Sequence, residues 1–272
     1  MTPSIFRKDL FVGKVAFVTG GGTGICRGIT EALAAHGATT AIFSRKPEHV
    51  ESAAAEISEK YGRPCLATVG DVRVPEQVEQ AIGKVISEFG RIDILINGAA
   101  GNFLCPAEGL SSNAFGTVLD IDTKGTWNVS RAAYHAWMKD HGGRILNISA
   151  TLHYGGTPLQ LHVASAKAGV DALTKNLAVE WGPKGICVNA IAPGPIADTE
   201  GAKRLLPGEI GERLRGAIPI RRLGLIEDIA ALSLFVLSEA ASNINGAILV
   251  SDGGQSLCGS FFSSIPTLPH KN

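Results

Sequence analysis

A glycine-rich run near the start of the chain has the residue types and spacing of a phosphate-binding loop. The run reads Thr19-Gly-Gly-Gly-Thr-Gly-Ile25, and it stands between the apolar residues 15–18 and a helical pattern that begins at Gly24. Glycines let the backbone turn tightly and approach a pyrophosphate, whose charge is stabilised by the amide groups at a helix N-terminus. The run predicts a dinucleotide site whose first contacts are Gly20, Gly22, Thr23, Gly24 and Ile25.

The residues after the second apolar run bear on which dinucleotide binds. An acidic side chain there would bind the adenosine ribose hydroxyls and repel a 2′-phosphate. This chain instead has Ser44-Arg45-Lys46, and the guanidinium of Arg45 can pair with a phosphate dianion. Arg27, just inside the first helical pattern, is expected to add a second positive charge. A solvated basic turn is the alternative, but these residues favour NADPH as the cofactor.

The elements that must position these residues follow from the alternation of apolar and amphipathic stretches. Apolar runs that predict buried parallel strands lie at 15–18, 40–43, 65–68, 92–96, 144–148, 188–191 and 247–250. Amphipathic stretches predict helices at about 24–36, 47–61, 75–89, 113–140 and 163–181. The alternation predicts an α/β fold: a Rossmann-type, doubly wound parallel sheet of seven strands with helices on both faces.

The predicted fold is a single domain that spans residues 1–258 and is followed by an irregular tail at 259–272, which contains Pro266 and Pro269. Sheets of this kind bind ligands at the carboxyl ends of their strands. The residues directly after each apolar run are therefore candidate site residues.

Overall composition excludes several other classes of protein. The chain has 272 residues, and its 25 basic and 25 acidic side chains cancel, so charge gives no sign of nucleic-acid or membrane binding. The five cysteines are scattered, without a Cys-x-x-Cys pair or a histidine at metal-ligand spacing, which indicates free thiols and no metal site. No apolar run reaches membrane length, and the first residues do not resemble a secretory signal.

Three further segments follow strands and carry a family resemblance. They are Gly70-Asp71-Val72, Asn97-Gly98-Ala99-Ala100-Gly101 and Pro193-Gly194-Pro195-Ile196 with Thr199. With the glycine-rich run, they resemble the motifs of the short-chain dehydrogenase/reductase family, where the second segment reads Asn-Ala-Gly. The resemblance implies cofactor contacts at Asp71, Val72, Asn97, Gly98, Ala99, Pro193, Gly194, Ile196 and Thr199. For Asp71, a helix-capping carboxylate is the alternative.

The same resemblance shows where this chain departs from the family. The family's catalytic tetrad is Asn, Ser, Tyr and Lys, of which only Lys167 is retained, in a position to hold the nicotinamide ribose hydroxyls. Val163 falls at the tyrosine, Ala150 at the serine and Asp122 at the asparagine. The last glycine of the glycine-rich motif is replaced by Cys26, which is small enough to pack there. Because valine carries no proton, the usual acid for reducing a carbonyl is missing.

A narrower resemblance accounts for the missing tyrosine. The segments 97–104, 120–123, 178–182, 192–196 and 199–201 resemble the peroxisomal 2,4-dienoyl-CoA reductases, which also lack it. The segments 24–27 and 149–154 resemble the fungal, sporulation-associated members in particular. Mitochondrial counterparts place another tyrosine fifteen residues before the lysine, and that position here is Leu152.

The resemblance implies NADPH-dependent reduction of 2,4-dienoyl-CoA to 3-enoyl-CoA in the β-oxidation of unsaturated fatty acids. Hydride adds at C5, and negative charge then spreads over the thioester oxygen and Cα, so the proton must reach carbon and water can deliver it. The resemblance implies that Asp122 and Asp252 position that water while Lys167 orients the cofactor. A buried structural carboxylate at Asp122 and a turn-forming role for Asp252 before Gly253 remain alternatives.

Candidate substrate residues are Asn102 and Phe103, which follow the fourth strand, and Tyr154, which with His153 is also an alternative donor of the proton. Packing in a loop or in the pocket wall explains them otherwise. The stretch 199–222 resembles the family's variable substrate lid, and its basic residues suit the phosphates of CoA or a solvated helix face.

Two other functions stay open on the sequence alone. One is a tailoring enzyme of secondary metabolism that acts on a different conjugated substrate, and the other is a pseudoenzyme that binds NADPH. The resemblance also implies a homotetramer and a peroxisomal location. The last three residues, His270-Lys271-Asn272, do not match the Ser-Lys-Leu peroxisomal address, so a cytoplasmic location is the alternative.

Overall fold

A computed structural model describes residues 4–197, 199 and 215–258 of the chain. Its strands are β1 Val15–Thr19, β2 Thr39–Ser44, β3 Cys65–Val69, β4 Ile94–Asn97, β5 Gly143–Ile148, β6 Ile186–Pro193 and β7 Ile248–Ser251. All pairings are parallel, in the order β3-β2-β1-β4-β5-β6-β7. The predicted seven-stranded doubly wound sheet is confirmed, and no strand end differs from its predicted position by more than two residues.

Helices cover both faces of the sheet. Over the described ranges they are α1 Gly24–Ala35, α2 Pro47–Tyr61, α3 Pro75–Phe89, α4 Ser112–Leu119, α5 Gly125–Ala133, α6 Lys139–His141, α7 Leu161–Trp181 and α8 Ile226–Leu237. The helix predicted at 113–140 is a continuous helical path, but wider π turns at Asp120–Lys124 and Tyr134–Met138 divide it into α4, α5 and α6. Helix α7 begins two residues earlier than predicted.

Successive strand residues pack into two separate cores, one on each face of the sheet. Phe17 and Leu95 point into the core beneath α3, α5 and α7, whereas Val18 and Ile96 point into the core beneath α1, α2 and α8. Side chains alternate between the faces of a sheet, and both faces are covered here. This is why continuous apolar runs, rather than alternating ones, mark the strands of this chain.

Helix α8 is not predicted by the sequence patterns. Its residues are apolar around most of its circumference, so the periodic contrast that marks an amphipathic helix is weak. It packs against α1 at Gly28, where an added Cβ would lie 2.1 Å from Cγ2 of Ile226. The close approach of these two helices completes the second core.

Candidate active site

The carboxyl ends of the strands border a cleft of about 1050 Å³. Among the predicted site residues, those that line it are Gly20, Thr23, Gly24, Ile25, Ser44, Arg45, Asp71, Val72, Gly98, Ala99, Asn102, Lys167, Pro193, Gly194, Ile196 and Thr199. Those that do not are Gly22, Lys46, Asn97, Phe103, Asp122, Tyr154 and Asp252. Motifs that are distant in sequence therefore meet at one cleft, and seven of the predicted residues lie outside its lining.

The glycine-rich loop leaves bare backbone at one end of the cleft. Gly20 and Gly24 have φ angles of 70° and 55°, a region that favours glycine. A Cβ on Gly20 would also lie 3.0 Å from the carbonyl oxygen of Gly98. Helix α1 begins directly after the loop, and its first N–H groups have no partner within the helix. The loop and the helix N-terminus together fit a pyrophosphate.

Cys26 packs against Gly98, so two departures from the family motifs meet in space. Cys26 is buried, and a Cβ added at Gly98 would lie 1.9 Å from its Sγ. The thiol therefore occupies the space that the family's alanine would fill in the Asn-Ala-Gly segment. Burial raises the pKa of the Cys26 thiol to about 12, against a smaller opposing effect from the charge of Lys167. This thiol is a packing group rather than a reactive one.

Arg45 and Arg27 differ in their availability to a phosphate on the adenosine ribose. Arg45 is exposed at the cleft and forms no ion pair with any residue in the part of the chain that the structure describes. Arg27 lies outside the cleft lining and donates to Glu31 at 3.0 Å and to Glu56 at 2.6 Å. The expected second charge from Arg27 is therefore not supplied, because two carboxylates already bind its guanidinium.

The carboxylate of Asp71 is held by Arg73. The guanidinium of Arg73 donates to Oδ2 of Asp71 at 2.6 Å, and the backbone N–H of Arg73 donates to Oδ1 at 2.9 Å. The side-chain bond to Arg73 is the main cause that lowers the pKa of Asp71, against partial burial. Helix α3 has Val74 as its N-cap, so Asp71 does not cap it.

Asn97 supports the floor of the cleft from inside the sheet. Its amide donates to Oγ of Ser130 and to Oδ1 of Asn147, both at 2.9 Å. At the end of β1, Oγ1 of Thr19 accepts from the N–H of Gly98 at 3.0 Å. These bonds join β1, β4, β5 and α5 beneath the site.

Lys167 connects the cleft to Asp122. Its ammonium donates to the carbonyl oxygen of Ile148 at 2.8 Å and lies 3.0 Å from Oδ2 of Asp122. Asp122 is fully buried, and its Oδ1 accepts from the N–H of Gly101 at 2.8 Å. Asp122 therefore stands behind Lys167, and its influence on the cleft passes through the lysine.

Asp252 lies behind the Pro193-Gly194 segment, which the family resemblance predicts to contact the cofactor. Its buried carboxylate accepts from the N–H groups of Gly254 at 2.8 Å and Ser256 at 2.7 Å. Burial raises its pKa, but the hydrogen bonds from Ser256 and Gly254 outweigh burial, so that the pKa of Asp252 is lowered. A Cβ on Gly194 would lie 2.7 Å from Cβ of Asp252, so the Pro-Gly segment rests directly on this residue.

The positions where hydroxyl groups are expected in related enzymes are apolar in this cleft. Val163 is buried in a small cluster with Val118 and Ala166. Ala150, at the serine position, and Leu152, at the alternative tyrosine position, both line the cleft. This wall therefore offers no proton at the family's usual positions.

The three predicted substrate residues occupy different positions. Asn102 lines the cleft and donates from its amide to Oε1 of Gln160 at 3.0 Å. Phe103 stacks on the fully buried ring of His162, with ring centroids 4.1 Å apart. Tyr154 is exposed and stands edge-on to the preceding histidine. Asn102 is thus the one of the three that reaches the cleft lining.

Asp171 is a buried polar residue near the cleft that sequence reasoning missed. It accepts hydrogen bonds from Oγ of Ser149 at 2.5 Å and from Nε2 of His153 at 2.8 Å. The available signal was its spacing, because a residue four positions after Lys167 lies on the same face of a helix.

The predicted lid at 199–222 lies only partly within the described residues. Lys203, Arg204 and Arg213 are outside them, as is the predicted tail at 259–272. Arg222 is described and pairs with Asp228 at 2.6 Å. In the described ranges, no cluster of histidine, cysteine and acidic side chains is suited to a metal ion, and no helix has the length and apolar character that crossing a membrane requires.

Comparison with known proteins gives matches along nearly the whole chain. A family model described as Enoyl-(Acyl carrier protein) reductase matches residues 20–256. Peroxisomal 2,4-dienoyl-CoA reductase, (3E)-enoyl-CoA-producing, of Danio rerio is 51% identical over 253 residues, covering 92% of this chain and 84% of that protein. Peroxisomal 2,4-dienoyl-CoA reductase SPS19 of Saccharomyces cerevisiae is 49% identical over 266 residues, covering 96% and 90%. The crystal structure of a short chain dehydrogenase from Bacillus anthracis superposes with a TM-score of 0.85 at 41% identity, covering 96% of this chain and 100% of that one.

These matches confirm both resemblances drawn from the motifs, the broad one to the family and the narrower one to 2,4-dienoyl-CoA reductases. Enzymes of this kind use a nicotinamide cofactor, and the bare glycine-rich loop and Lys167 fit one. The chain belongs to the short-chain dehydrogenase/reductase family, and about half of its residues are shared with peroxisomal 2,4-dienoyl-CoA reductases.

Proposed function

We propose that this chain is an NADPH-dependent 2,4-dienoyl-CoA reductase that forms 3-enoyl-CoA during the β-oxidation of unsaturated fatty acids. The observation that carries the proposal is a retained Lys167, paired with Asp122, in a cleft whose tyrosine position holds the buried Val163. This combination suits a reaction that places a proton on carbon instead of on a carbonyl oxygen. Identity of about one half to enzymes with that name supports the same substrate class.

The cofactor in this proposal is NADPH rather than NADH. The end of β2 has no acidic side chain, and Arg45 follows it at the cleft. A guanidinium there attracts a 2′-phosphate that a carboxylate would repel. The glycine-rich loop would hold the pyrophosphate, Asp71 and Val72 the adenine, and the Pro-Gly segment the nicotinamide.

The chemistry divides between the cofactor and the chain's own residues. When bound, the reduced nicotinamide supplies a hydride that adds at C5 of the dienoyl thioester. Lys167 holds the ribose hydroxyls, and its position is fixed by the carbonyl of Ile148 and by Asp122. The displaced electron pair reaches Cα, which takes a proton from water, and the hydroxide left behind regains a proton from solvent. One double bond, between C3 and C4, remains in the product.

Asp122 and Asp252 are proposed to govern the water that delivers this proton. Asp122 acts through Lys167, and Asp252 acts from beneath Gly194. Both carboxylates are buried, where the field of a charge is screened less than in bulk water. In this proposal, the two buried charges together polarise water that enters the cleft.

A homotetramer and a peroxisomal location belong to the same proposal. Relatives that are 51% and 49% identical bear peroxisomal names. The proposed contact between copies uses α5 and α7, which carry the exposed apolar side chains Trp127 and Val179. Light scattering of the purified chain tests the assembly, and imaging of the tagged chain in cells tests the location.

One assay separates the proposed function from its rivals. The purified chain is incubated with NADPH and 2,4-hexadienoyl-CoA, the loss of NADPH absorbance is followed, and the product is identified by mass spectrometry and NMR. Formation of a 3-enoyl-CoA supports the proposal. Turnover confined to a different conjugated alkene would indicate a tailoring enzyme, and NADPH binding without turnover of any such substrate would indicate a pseudoenzyme.

A further inference from the structure

One wall of the cleft is a loop that leaves β5 and leads to α7. Ala150, Thr151 and Leu152 of this loop line the cleft. Leu152 packs against the apolar cluster that contains Val163, but such packing has no direction of its own, whereas hydrogen bonds do. Polar groups on either side of these three residues attach the loop to helix α7.

Helix α7 holds the end of β5 at one point and the loop at two points. The ammonium of Lys167 donates to the carbonyl oxygen of Ile148 at 2.8 Å, just before the loop. Oγ of Ser149 donates to Oδ1 of Asp171 at 2.5 Å, and Nε2 of His153 lies 2.8 Å from Oδ2 of Asp171. Two of the three attachments therefore end on one carboxylate, and they lie on either side of Ala150, Thr151 and Leu152, with Ser149 itself also in the cleft lining.

Burial protects these two hydrogen bonds from competition by water. Asp171 and Ser149 are 6% and 3% exposed, so water competes little for their polar atoms. A buried carboxylate is stable only when its oxygens accept hydrogen bonds, and each oxygen of Asp171 has one partner from the loop. Because a carboxylate only accepts, Nε2 of His153 carries the proton, which fixes the orientation of the ring.

We propose that Asp171 is a positioning residue for the substrate, which sets the wall formed by Ala150, Thr151 and Leu152 relative to Lys167. The proposal rests on the reductase function proposed above. Lys167 and Asp171 lie one turn apart on α7, so one helix carries both the group that orients the cofactor and the group that orients the wall. Neither bond of Asp171 goes to a segment assigned to the cofactor, so its effect falls on the acyl substrate.

Kinetics of matched variants test this role. Asp171→Asn keeps the volume of the side chain but removes its negative charge, so the bonds from the N–H of His153 and the hydroxyl of Ser149 lose the strength that a charged acceptor gives them. We expect the KM for 2,4-hexadienoyl-CoA to rise about tenfold or more, while the Kd of NADPH, measured by fluorescence titration, stays within about twofold of the wild-type value. Asp140→Asn, on the exposed surface of α6, is the control and should match the wild type.

Variants of His153 provide the second arm of the test. His153→Ala removes the hydrogen bond to Oδ2 of Asp171 and should also raise the KM for 2,4-hexadienoyl-CoA. His153→Gln keeps an N–H donor, so its KM should lie close to the wild-type value. If Asp171→Asn does not fold, this pair decides the question alone.

Two results would overturn the proposal while leaving the reductase function in place. The first is that the wild type is active and that Asp171→Asn and His153→Ala each have a KM and a kcat within about twofold of the wild-type values. The other is a rise in the Kd of NADPH by the same factor as the KM, which would mean a general loss of structure. A wild-type chain that binds NADPH but does not reduce the dienoyl-CoA would overturn the proposed function, and this inference with it.

Discussion

The ammonium of Lys167 lies 3.0 Å from the carboxylate of Asp122, and the two side chains are 8% and 0% exposed. Neither charge can be removed without leaving the other buried and unpaired, which is strongly unfavourable. The family's pattern has a neutral asparagine at this position. In this chain the lysine that faces the cofactor site is therefore held by an opposite charge, in a cleft that lacks the family's phenol.

Asp122→Ala should reduce turnover far more than NADPH affinity. The carboxylate supports the orientation of Lys167 and, in the proposed mechanism, the polarisation of water, and both matter most as charge develops on the substrate. We expect kcat to fall about 100-fold and the Kd of NADPH to change by less than about tenfold. Asp120→Ala, which alters a half-exposed carboxylate two residues away, is the control. Equal losses in kcat and in affinity would assign Asp122 a purely structural role.

Arg45→Ala should weaken NADPH binding more than NADH binding. Removing a guanidinium from a 2′-phosphate costs a charge-assisted contact, and we expect a tenfold or greater loss of affinity, on the order of 1.4 kcal/mol, for NADPH alone. The comparison is Arg27→Ala, because Arg27 is bound by Glu31 and Glu56 and should leave the preference between cofactors unchanged. An unaltered preference in Arg45→Ala would remove the assignment of NADPH.

Gly98→Ala should destabilise the chain, and Cys26→Gly should relieve that loss. The added methyl would lie 1.9 Å from Sγ of Cys26, so the site would be overpacked. Overpacking of this kind lowers the free energy of unfolding by roughly 1–3 kcal/mol, and the coupling between the two sites should recover most of it in the double variant. Urea denaturation of the two single variants and the double variant measures the coupling. Additive effects would mean that the two residues do not compensate each other.

Val163→Tyr should not confer efficient ketone reduction. Val163 is packed in an apolar cluster, and Ala150 at the serine position has no hydroxyl to assist a phenol. We expect a loss of about 1–3 kcal/mol in the free energy of unfolding from overpacking. Val163→Phe adds the ring without the hydroxyl and should lower the free energy of unfolding by a similar amount. Any difference in activity between the two variants is then due to the hydroxyl of the tyrosine. Ketone turnover in the tyrosine variant alone would show that the proton donor is the main element missing.

Alkylation should distinguish Cys26 from the other thiols as the pH rises. Burial raises the pKa of Cys26 to about 12, so the folded chain keeps this thiol protonated at pH values where an unfolded cysteine is already ionised. The raised pKa contributes stability fully below an unfolded pKa of about 8.5 and loses that contribution as the pH rises toward the folded value. Iodoacetamide at pH 9 should therefore modify Cys105 much faster than Cys26, as read by mass spectrometry. Similar rates would show that Cys26 is accessible.

The sheet, and the residues that line the cleft beside the glycine-rich loop, could be predicted from the sequence. Each strand is buried on both faces, so a short apolar run is enough to mark it, and the glycine-rich loop is a local motif whose chemistry depends on neighbouring residues. A doubly wound sheet brings the carboxyl ends of its strands together. Asp71, Gly98 and Gly194 could therefore be assigned to one cleft without knowledge of distances. Helix α8 escaped prediction because its residues, apolar on most sides, give little periodic contrast.

The contacts of the charged side chains could not be predicted from the sequence, because they depend on the tertiary structure. Whether Arg27 is open to a phosphate depends on Glu56, which is 29 residues away, and whether Asp122 reaches the cleft depends on Lys167, which stands before it. The two hydrogen bonds of Asp171 join α7 to a loop about twenty residues earlier in the chain. Spacing along a helix shows which face a charge occupies, but its partner comes from another element. That partner then determines whether the charge is solvated, paired or available to a ligand.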